Sequence, residues 1–380
     1  MELPSYFNDF MSNIRPSSEE RKQYQDAHRE LREKLLDDDD LKEIIVTTFL
    51  QGSYRRSTIL RPELGEHADV DVVVVTKISK EDTTPEQALR KFVPFLEKHY
   101  PGQFELQGRS IGISLDYVDL DLVVTSAPSE SQLGILKSSV VSGDGTLEEW
   151  LGESWINLGR RYGEFSEVWL AKAQEEGWKL EPLDIPDREA RIWKPTHPLE
   201  QIRWTHEKNG LTNGHYIHVV KAIKEWKRVN QLLPRYPKGY PLEHLIGACC
   251  PDGITYTAEG VVQALETIKT NFATHAANRT TPVLPDHGVP EHDVMQRVTG
   301  AEFAAFHSQV CEAANVARDA LDADSVEESA KLWRQLFGDN FPAPPSGSGD
   351  NGGGGPGPQE QSAGFTPRTA PTIVAGGRFG

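Results

Sequence analysis

Strand-like apolar runs and helical repeats occupy different parts of this chain. In the first half, apolar residues form short runs, and helical repeats lie before and between them. The runs cover residues 44–50, 70–76 and 114–125, and the helical patterns cover the first forty residues, centred on residues 19–36, and residues 85–99. Strands mixed with helices in this way predict an α/β or α+β core.

The pattern changes near residue 195. From there, apolar residues recur at spacings of three and four, which predicts helices over residues 215–233, 256–277 and 291–336. After residue 341 the sequence is rich in Gly, Pro and Ser and has too few apolar side chains to offset the entropy lost on ordering. We therefore expect three regions: an α+β core with an N-terminal helix over residues 1–194, a helical domain over residues 195–340, and a disordered tail over residues 341–380.

Composition narrows the range of functions. The chain has 380 residues and a formal net charge of -17, which argues against a broad surface for DNA or RNA and leaves small phosphorylated ligands open. No apolar run approaches the roughly 20 residues that span a bilayer, and the first 25 residues lack the order of a secretory signal. We expect a cytoplasmic protein with no membrane segment. The three cysteines have no CxxC spacing and give no support for a disulfide framework or a zinc site.

Two pairs of aspartates stand at alternating positions of predicted strands. Asp69 and Asp71 project from one face of the sheet, because successive strand residues point to opposite faces. Asp119 and Asp121 form a similar pair in a later strand. A DxD pair alone is also typical of an edge strand that is protected by charge. Three carboxylates on adjacent strands, however, are what two-metal phosphoryl transfer requires, and their oxygens suit Mg²⁺.

Two further features favour a phosphate ligand. The first strand-like run ends in Gly52-Ser53, a turn whose amides and hydroxyl can face a phosphate. In the helical half, Lys221, Lys224 and Arg228 recur at spacings of three and four and so predict a cationic stripe along one helix. An ordinary turn and a solvated helix face remain the alternatives for these two features.

The order of these motifs resembles a known family. The segments "GSYRRST" at residues 52–58, "DVD" at residues 69–71 and "VDLDLVVT" at residues 118–125 resemble the DNA polymerase β-like nucleotidyltransferases. Within that superfamily, "IPDREARIWKPTHP", "AIKEWKR" and "YPLEHLI" are similar to segments of the bacterial cGAS/DncV-like nucleotidyltransferases, or CD-NTases. The resemblance covers roughly residues 40 to 340. It implies an α+β fold, with a polymerase β-like nucleotidyltransferase core built on a mixed sheet and a C-terminal helical domain resembling that of oligoadenylate synthases.

The resemblance also implies residue roles. Asp69 and Asp71 would bind two Mg²⁺ ions, and Asp121 would be the third metal-binding carboxylate, which helps to activate the attacking hydroxyl. Asp119 remains the alternative to Asp121, because the proline of the family's Asp-Leu-Val-Pro is absent here. The expected nucleotide-binding residues are Gln51, Gly52, Ser53, Thr58, Lys224 and, from helical spacing alone, Lys221.

The implied function is the synthesis of a cyclic di- or trinucleotide from ATP and other nucleoside triphosphates. Such a product is a second messenger in antiphage (CBASS) signalling, and its synthesis needs no DNA or RNA template. One alternative is a nucleotidyltransferase that modifies RNA or protein, of the tRNA-extending or toxin-antitoxin type. The other is a catalytically dead scaffold, although all three carboxylate positions are filled.

The end of the tail suggests a covalent partner. Residues 372–380 regain apolar side chains and finish in Gly380, whose carboxylate is unhindered. Some CD-NTase operons encode an E1/E2-like ligase that joins the synthase's C-terminal glycine to other molecules. By this resemblance, Gly380 is expected to be a conjugation point.

Overall fold

The computed structural model describes residues 1–128, 182–230 and 234–344, which belong to one compact unit. Seven strands lie in these ranges: β1 (Ile45–Gln51), β2 (Ala68–Thr76), β3 (Phe104–Leu106), β4 (Ile111–Ser114), β5 (Val118–Thr125), β6 (Leu183–Asp187) and β7 (Ile192–Thr196). The helices are α1 (Pro4–Ile14), α2 (Ser18–Asp37), α3 (Gly52–Arg55), α4 (Pro85–Arg90), α5 (Val93–His99), α6 (Pro198–Leu211), α7 (Tyr216–Val229), α8 (Tyr240–Cys249), α9 (Thr257–Asn271), α10 (Ala273–Ala277), α11 (Gly300–Asp322) and α12 (Val326–Phe337).

The main sheet has five strands in the order β1-β2-β5-β4-β3. Strands β2 and β5 are parallel neighbours, whereas β1 pairs with β2, and β4 with β5 and β3, in antiparallel fashion. The sheet is therefore mixed, as the sequence predicts. Strands β6 and β7 form a separate antiparallel hairpin.

The two faces of the main sheet differ in what covers them. On one face, Val70, Val72 and Leu120 are fully buried in a cluster that includes apolar residues of α2 and α5. On the other face, Val73 and Val75 pack in a small cluster with residues of the β6–β7 hairpin. That hairpin covers the carboxyl-terminal half of β2, so the acidic half of the same face lies beyond it.

A second hydrophobic cluster is helical. It joins buried residues of α7, α8, α9, α11 and α12, and also takes in Phe7, Phe10 and Ile14 of α1. The rings of Phe10 and Phe337 stack with centroids 4.6 Å apart. Helix α1 therefore packs with the helical layer, while the expected division of the chain at residue 194 stays a prediction.

Several predicted elements are divided in the structure. The helix expected over the first forty residues is two helices, because Pro16 interrupts it at Arg15 and Ser17 caps α2 in a capping box with Glu20. The strand expected over residues 114–125 is two strands joined by a turn, closed by a hydrogen bond from Leu115 N to Val118 O. Similarly, residues 85–99 form α4 and α5, and the pattern over residues 291–336 resolves into a loop, α11 and α12.

None of the helices in the described ranges is both long enough and apolar enough to span a membrane. The expected cytoplasmic location stays a prediction.

Candidate active site

Four aspartates lie side by side on the main sheet. Asp69 pairs in register with Asp119, and Asp71 with Asp121, across the parallel strands β2 and β5. Residues in register on parallel strands point to the same face, so all four carboxylates share it. We call these four residues the acidic face. The sequence predicts this shared face, and the fully buried Val70 and Leu120 between the aspartates confirm the alternation.

Burial and like charge raise the pKa of three of these carboxyls. The surrounding protein and then the charges of Asp71 and Asp121 raise the pKa of Asp69 to about 8, although its side chain is exposed. Burial and then the charge of Asp121 raise the pKa of Asp71 to about 6. The pKa of Asp121 is raised by burial and then by Asp119. Negative charge is therefore only partly compensated at the acidic face.

The residues Gly52 to Thr58 form a tight turn against Asp71, which we call the glycine turn. Gly52 adopts a φ of +74°, and a Cβ there would lie 1.8 Å from Asp71 Oδ2, so another side chain would collide with that carboxylate. The backbone closes with hydrogen bonds from Arg56 N to Gly52 O (3.0 Å) and from Thr58 N to Ser53 O (2.9 Å). Gln51 pairs in register with Asp71 across β1 and β2. The predicted phosphate-binding segment thus contacts the predicted metal ligands.

The acidic face is suited to divalent cations by its donor chemistry. Among the described residues, no three His, Cys, Asp or Glu side chains converge closely enough to hold a metal ion as they stand. The carboxylates of Asp69, Asp71 and Asp121 nevertheless share one face, and like charge disfavours their ionised forms. A cation would remove that repulsion and draw the oxygens together. These three carboxylates therefore suit a metal ion that would bring their side chains together when it binds.

Asp119 and Asp121 have different surroundings. Asp119 is partly exposed, with Oδ1 3.4 Å from His67 Nδ1. Asp121 lies in register with Asp71 and has its Oδ1 near Gly112 of β4. Asp121 is the register partner of Asp71, the carboxylate that lies against the glycine turn. This arrangement favours Asp121 over Asp119 as the third ligand.

Lys224 reaches the glycine turn from α7. Its Nζ donates to Thr58 O at 2.8 Å and to Glu243 Oε1 at 3.1 Å. The other oxygen of Glu243 accepts a hydrogen bond from Arg56 Nε, also at 3.1 Å. We call Arg56, Glu243 and Lys224 the buried ion triad. Lys224 thus lies beside the turn, as expected for a phosphate ligand, but it is already paired with an anion.

The predicted cationic stripe on α7 is not an open positive surface. Lys221 is buried, with 5% of its surface exposed. Arg228 forms ion pairs with Glu225 and Glu63. The apolar side of the helix is as predicted, with Val220, Ile223 and Trp226 buried. Helical spacing placed the cations on one stripe correctly but could not show which acidic residues would meet them.

Sequence reasoning assigned no role to Arg56, Glu243 or Lys238. A glutamate inside the apolar segment "YPLEHLI" is a signal that could have indicated a paired, buried carboxylate, since unpaired Glu is rarely buried. Lys238 precedes α8, and its charge opposes the rise in the pKa of Asp69, so it lies near the acidic face. No sequence pattern connects Lys238 with Asp69.

Comparison with known proteins decides the family. The family of Second Messenger Oligonucleotide or Dinucleotide Synthetase (SMODS) domains matches residues 1–130. The chain is 47% identical to the cyclic AMP-AMP-GMP synthase of Enterobacter hormaechei subsp. hoffmannii (strain UCI 50), over 98% of this chain and 97% of that protein. It is 44% identical to the probable cyclic AMP-AMP-GMP nucleotide synthase of Salmonella paratyphi B, with the same coverage.

The chain belongs to the CD-NTase family. As a CD-NTase it is a nucleotidyltransferase that produces a cyclic oligonucleotide, and the predicted antiphage signalling family is confirmed. Nucleotidyltransferases of this family typically depend on a metal ion. The fold is shared with the Vibrio cholerae DncV cyclic AMP-GMP synthase, solved with the linear intermediate 5′ pppA(3′,5′)pG, at a TM-score of 0.61 and 12% identity over 90% of this CD-NTase and 96% of DncV. The predicted polymerase β-like core with a helical domain is thereby confirmed.

The remaining predictions concern individual residues. The roles of the aspartates and of the nucleotide-binding residues in this CD-NTase stay predictions that the geometry supports. Gly380 lies outside the described residues, as does the tail from residue 345 onward. Its expected conjugation also stays a prediction.

Proposed function

We propose that this CD-NTase joins two adenylate units and one guanylate unit, from ATP and GTP, into a cyclic trinucleotide. The observation that supports this most strongly is end-to-end similarity: two relatives named for that product are 47% and 44% identical over 98% of the chain. The similarity spans both the residues of the sheet and those of the helical layer, whose surfaces both surround the glycine turn.

In this proposal Asp69, Asp71 and Asp121 hold two Mg²⁺ ions. The ions, when bound, lower the pKa of the attacking hydroxyl and stabilise the departing pyrophosphate. The carboxylates supply oxygen ligands in register on two parallel strands. The raised pKa values of Asp69 and Asp71 support a cation at the acidic face, because a cation would allow them to ionise fully.

The glycine turn positions the triphosphate beside these carboxylates. Gln51, Gly52, Ser53 and Thr58 would contact the phosphates through backbone amides and hydroxyls, together with Lys221 and Lys224 of α7. Support comes from the close approach of Gly52 to Asp71 and from the contact of Lys224 with Thr58 O. Asp121 accepts the proton of the attacking hydroxyl, and Asp119 is the second candidate for that role.

The test is incubation of the purified enzyme with Mg²⁺ and defined triphosphate mixtures, without any nucleic acid, followed by mass spectrometry. Product should form only when ATP and GTP are both present, with a mass of two adenylates and one guanylate in a ring. Nuclease digestion then assigns the 2′–5′ or 3′–5′ linkages. A product from ATP alone, or one with a single adenylate, would refute the proposed composition. Because the reaction contains no nucleic acid, product formation would also show that no template is needed.

We also propose that an E1/E2-like ligase conjugates Gly380. The support is the resemblance of the tail to synthases that are joined through their last glycine. Co-expression with such a ligase should give a covalent adduct of the wild-type protein and none of a variant that lacks Gly380, with equal synthase activity in both. An adduct of the deletion variant would place the linkage elsewhere.

A further inference from the structure

The buried ion triad connects the two layers that flank the glycine turn. Glu243 on α8 contributes one oxygen to each cation: Oε2 lies 3.1 Å from Arg56 Nε, and Oε1 lies 3.1 Å from Lys224 Nζ. Arg56 belongs to the glycine turn, next to the sheet, and Lys224 belongs to α7 in the helical layer. Glu243 is therefore the shared anion between the nucleotidyltransferase core and the helical layer.

These charges are removed from water. The side chains of Arg56 and Glu243 are 5% and 4% exposed, and that of Lys224 is 16% exposed. Burial alone would raise the pKa of Glu243, yet the charges of Arg56 and Lys224 lower it to about 2. The guanidinium of Arg56 also lies over the ring of Tyr240, 5.1 Å from its centroid. The carboxylate is consequently ionised and fixed from two sides.

Both cations of the triad are tied to the glycine turn. Arg56 N donates to Gly52 O, so the residue that Glu243 fixes also closes the turn. Lys224 Nζ donates to Thr58 O at the other end of the segment. Arg56 and Glu243 are close enough to Asp71 for their charges to affect its pKa in opposite directions. A shift of the Glu243 carboxylate would therefore move both ends of the turn.

We propose that Glu243 is a positioning residue for nucleotide binding, which holds Lys224 and the glycine turn in the arrangement that receives the triphosphate. The inference rests on the proposed nucleotide-binding role of the turn and of Lys224. Two oxygens are needed for two cations. In a Glu243→Gln variant, the amide keeps one acceptor and presents N–H donors to the other cation, so one of the two contacts is lost.

The experiment measures the Kd of ATP in the presence of Mg²⁺, and the kcat and KM of product formation, for a double-mutant cycle. Glu243→Gln should weaken ATP binding about tenfold, with a larger change in KM than in kcat, because it releases a charge-assisted contact. Lys224→Met should weaken it at least as much. In the Lys224→Met background, Glu243→Gln should add less than about a twofold change, since the cation that it positions is already gone.

A matched control removes a carboxylate from an ion pair elsewhere. Glu266 pairs with Arg318 at 2.7 Å in the helical layer, and Glu266→Gln should leave both the Kd and the KM unchanged. Glu243→Asp, which keeps the charge, should restore binding in part. Thermal unfolding of every variant identifies any that fail to fold, and in that case Glu243→Asp carries the test.

Two results would overturn the positioning role: multiplicative effects of Glu243→Gln and Lys224→Met on the Kd, or an unchanged Kd in a folded Glu243→Gln variant. The readout is ATP binding and does not depend on which product forms. An unexpected product would therefore refute the proposed composition and leave this test intact. Failure of the wild-type protein to bind ATP would instead refute the nucleotide-binding site itself.

Discussion

The acidic face and the buried ion triad are neighbouring clusters of charged residues. The protein around them shifts the pKa of their carboxyl groups in opposite directions. At the acidic face, burial and like charges act together and raise the pKa of Asp69 and Asp71. In the triad, opposite charges outweigh burial and lower the pKa of Glu243. The ionised carboxylates of the acidic face repel one another unless a cation binds, whereas the charges of the triad are paired within the chain. Charge compensation thus distinguishes the carboxylates that would bind a cation from the carboxylate that holds the site together.

This difference predicts opposite effects of carboxylate removal on stability. Loss of one member of a compensated, buried ion pair typically costs about 3 to 5 kcal/mol of stability, because an unpaired charge remains. Loss of a carboxylate from a cluster of like charges relieves repulsion. The predictions below test the contrast in order of decreasing expected effect.

The largest effect is expected for Asp69→Ala combined with Asp71→Ala. Product formation should fall by at least about a thousandfold, because metal binding supplies several kcal/mol of transition-state stabilisation. The free energy of unfolding in metal-free buffer should stay the same or rise. Quantitative chromatography of products and chemical denaturation measure the two quantities. Substantial residual turnover would remove these residues from the metal site.

The next effect separates the two aspartates of β5. Asp121→Asn should lower kcat about a hundredfold, as expected for loss of a group that assists proton removal. Asp119→Asn should lower kcat less, because Asp119 is turned toward His67 at the exposed edge. Initial rates at saturating ATP and GTP measure both. The reverse order would transfer the role of the third carboxylate to Asp119.

Gly52→Ala tests the contact between the glycine turn and the acidic face. A left-handed backbone costs a non-glycine residue about 1–2 kcal/mol, and here the new Cβ also meets Asp71 Oδ2. Gly102 has a φ of +75° with nothing within 4 Å of a Cβ, so Gly102→Ala carries the backbone cost alone. Synthase activity should fall about tenfold or more in Gly52→Ala only. Equal activity in the two variants would mean that the contact with Asp71 is unimportant.

The smallest effect concerns pH. Above the usual carboxyl pKa of 3.8, folded metal-free protein retains protons that the unfolded chain has lost, on Asp71 up to about pH 6 and on Asp69 up to about pH 8. The free energy of unfolding should therefore fall as the pH rises through this window, and the contribution is fully present only below about 3.8.

Denaturation curves in EDTA and in Mg²⁺ check this pH effect. Added Mg²⁺ should recover stability at the upper end, and Asp69→Asn should reduce the slope. An identical slope in Asp69→Asn would show that other groups cause the pH dependence.

Local sequence patterns were sufficient to predict much of the core. The strand β2 and the alternation of Asp69 and Asp71 with buried valines follow from a period of two, and the Gly52-Ser53 turn follows from residue type. The breaks inside predicted elements were missed, although Pro16 marks one of them. Propensity averaged over a long window conceals a single residue that cannot continue a helix.

Contacts between distant residues could not be predicted in this way. Glu243 meets Arg56 across 187 positions, and neither residue's neighbours in sequence indicate the other. The same limit applies to the stripe on α7, where periodicity gave the correct helical face but not the burial of Lys221. A pattern within one element specifies which side chains lie together on it, while the partner surface depends on the fold as a whole.

The packing of α1 has a consequence for the order in which the chain is completed during synthesis. The ring of Phe7 contacts those of Trp333 and Phe341, with centroids 5.0 Å and 5.3 Å away, so its partners are among the last described residues to leave the ribosome. The strands of the main sheet emerge well before them and can close their own core first. Helix α1 can pack against α7 and α9 once they are made, but Phe7 lacks its aromatic partners until α12 follows. Burial of α1, which is translated before the sheet, is therefore completed after the sheet, and a chain that stops before Val326 would leave Phe7 without Trp333.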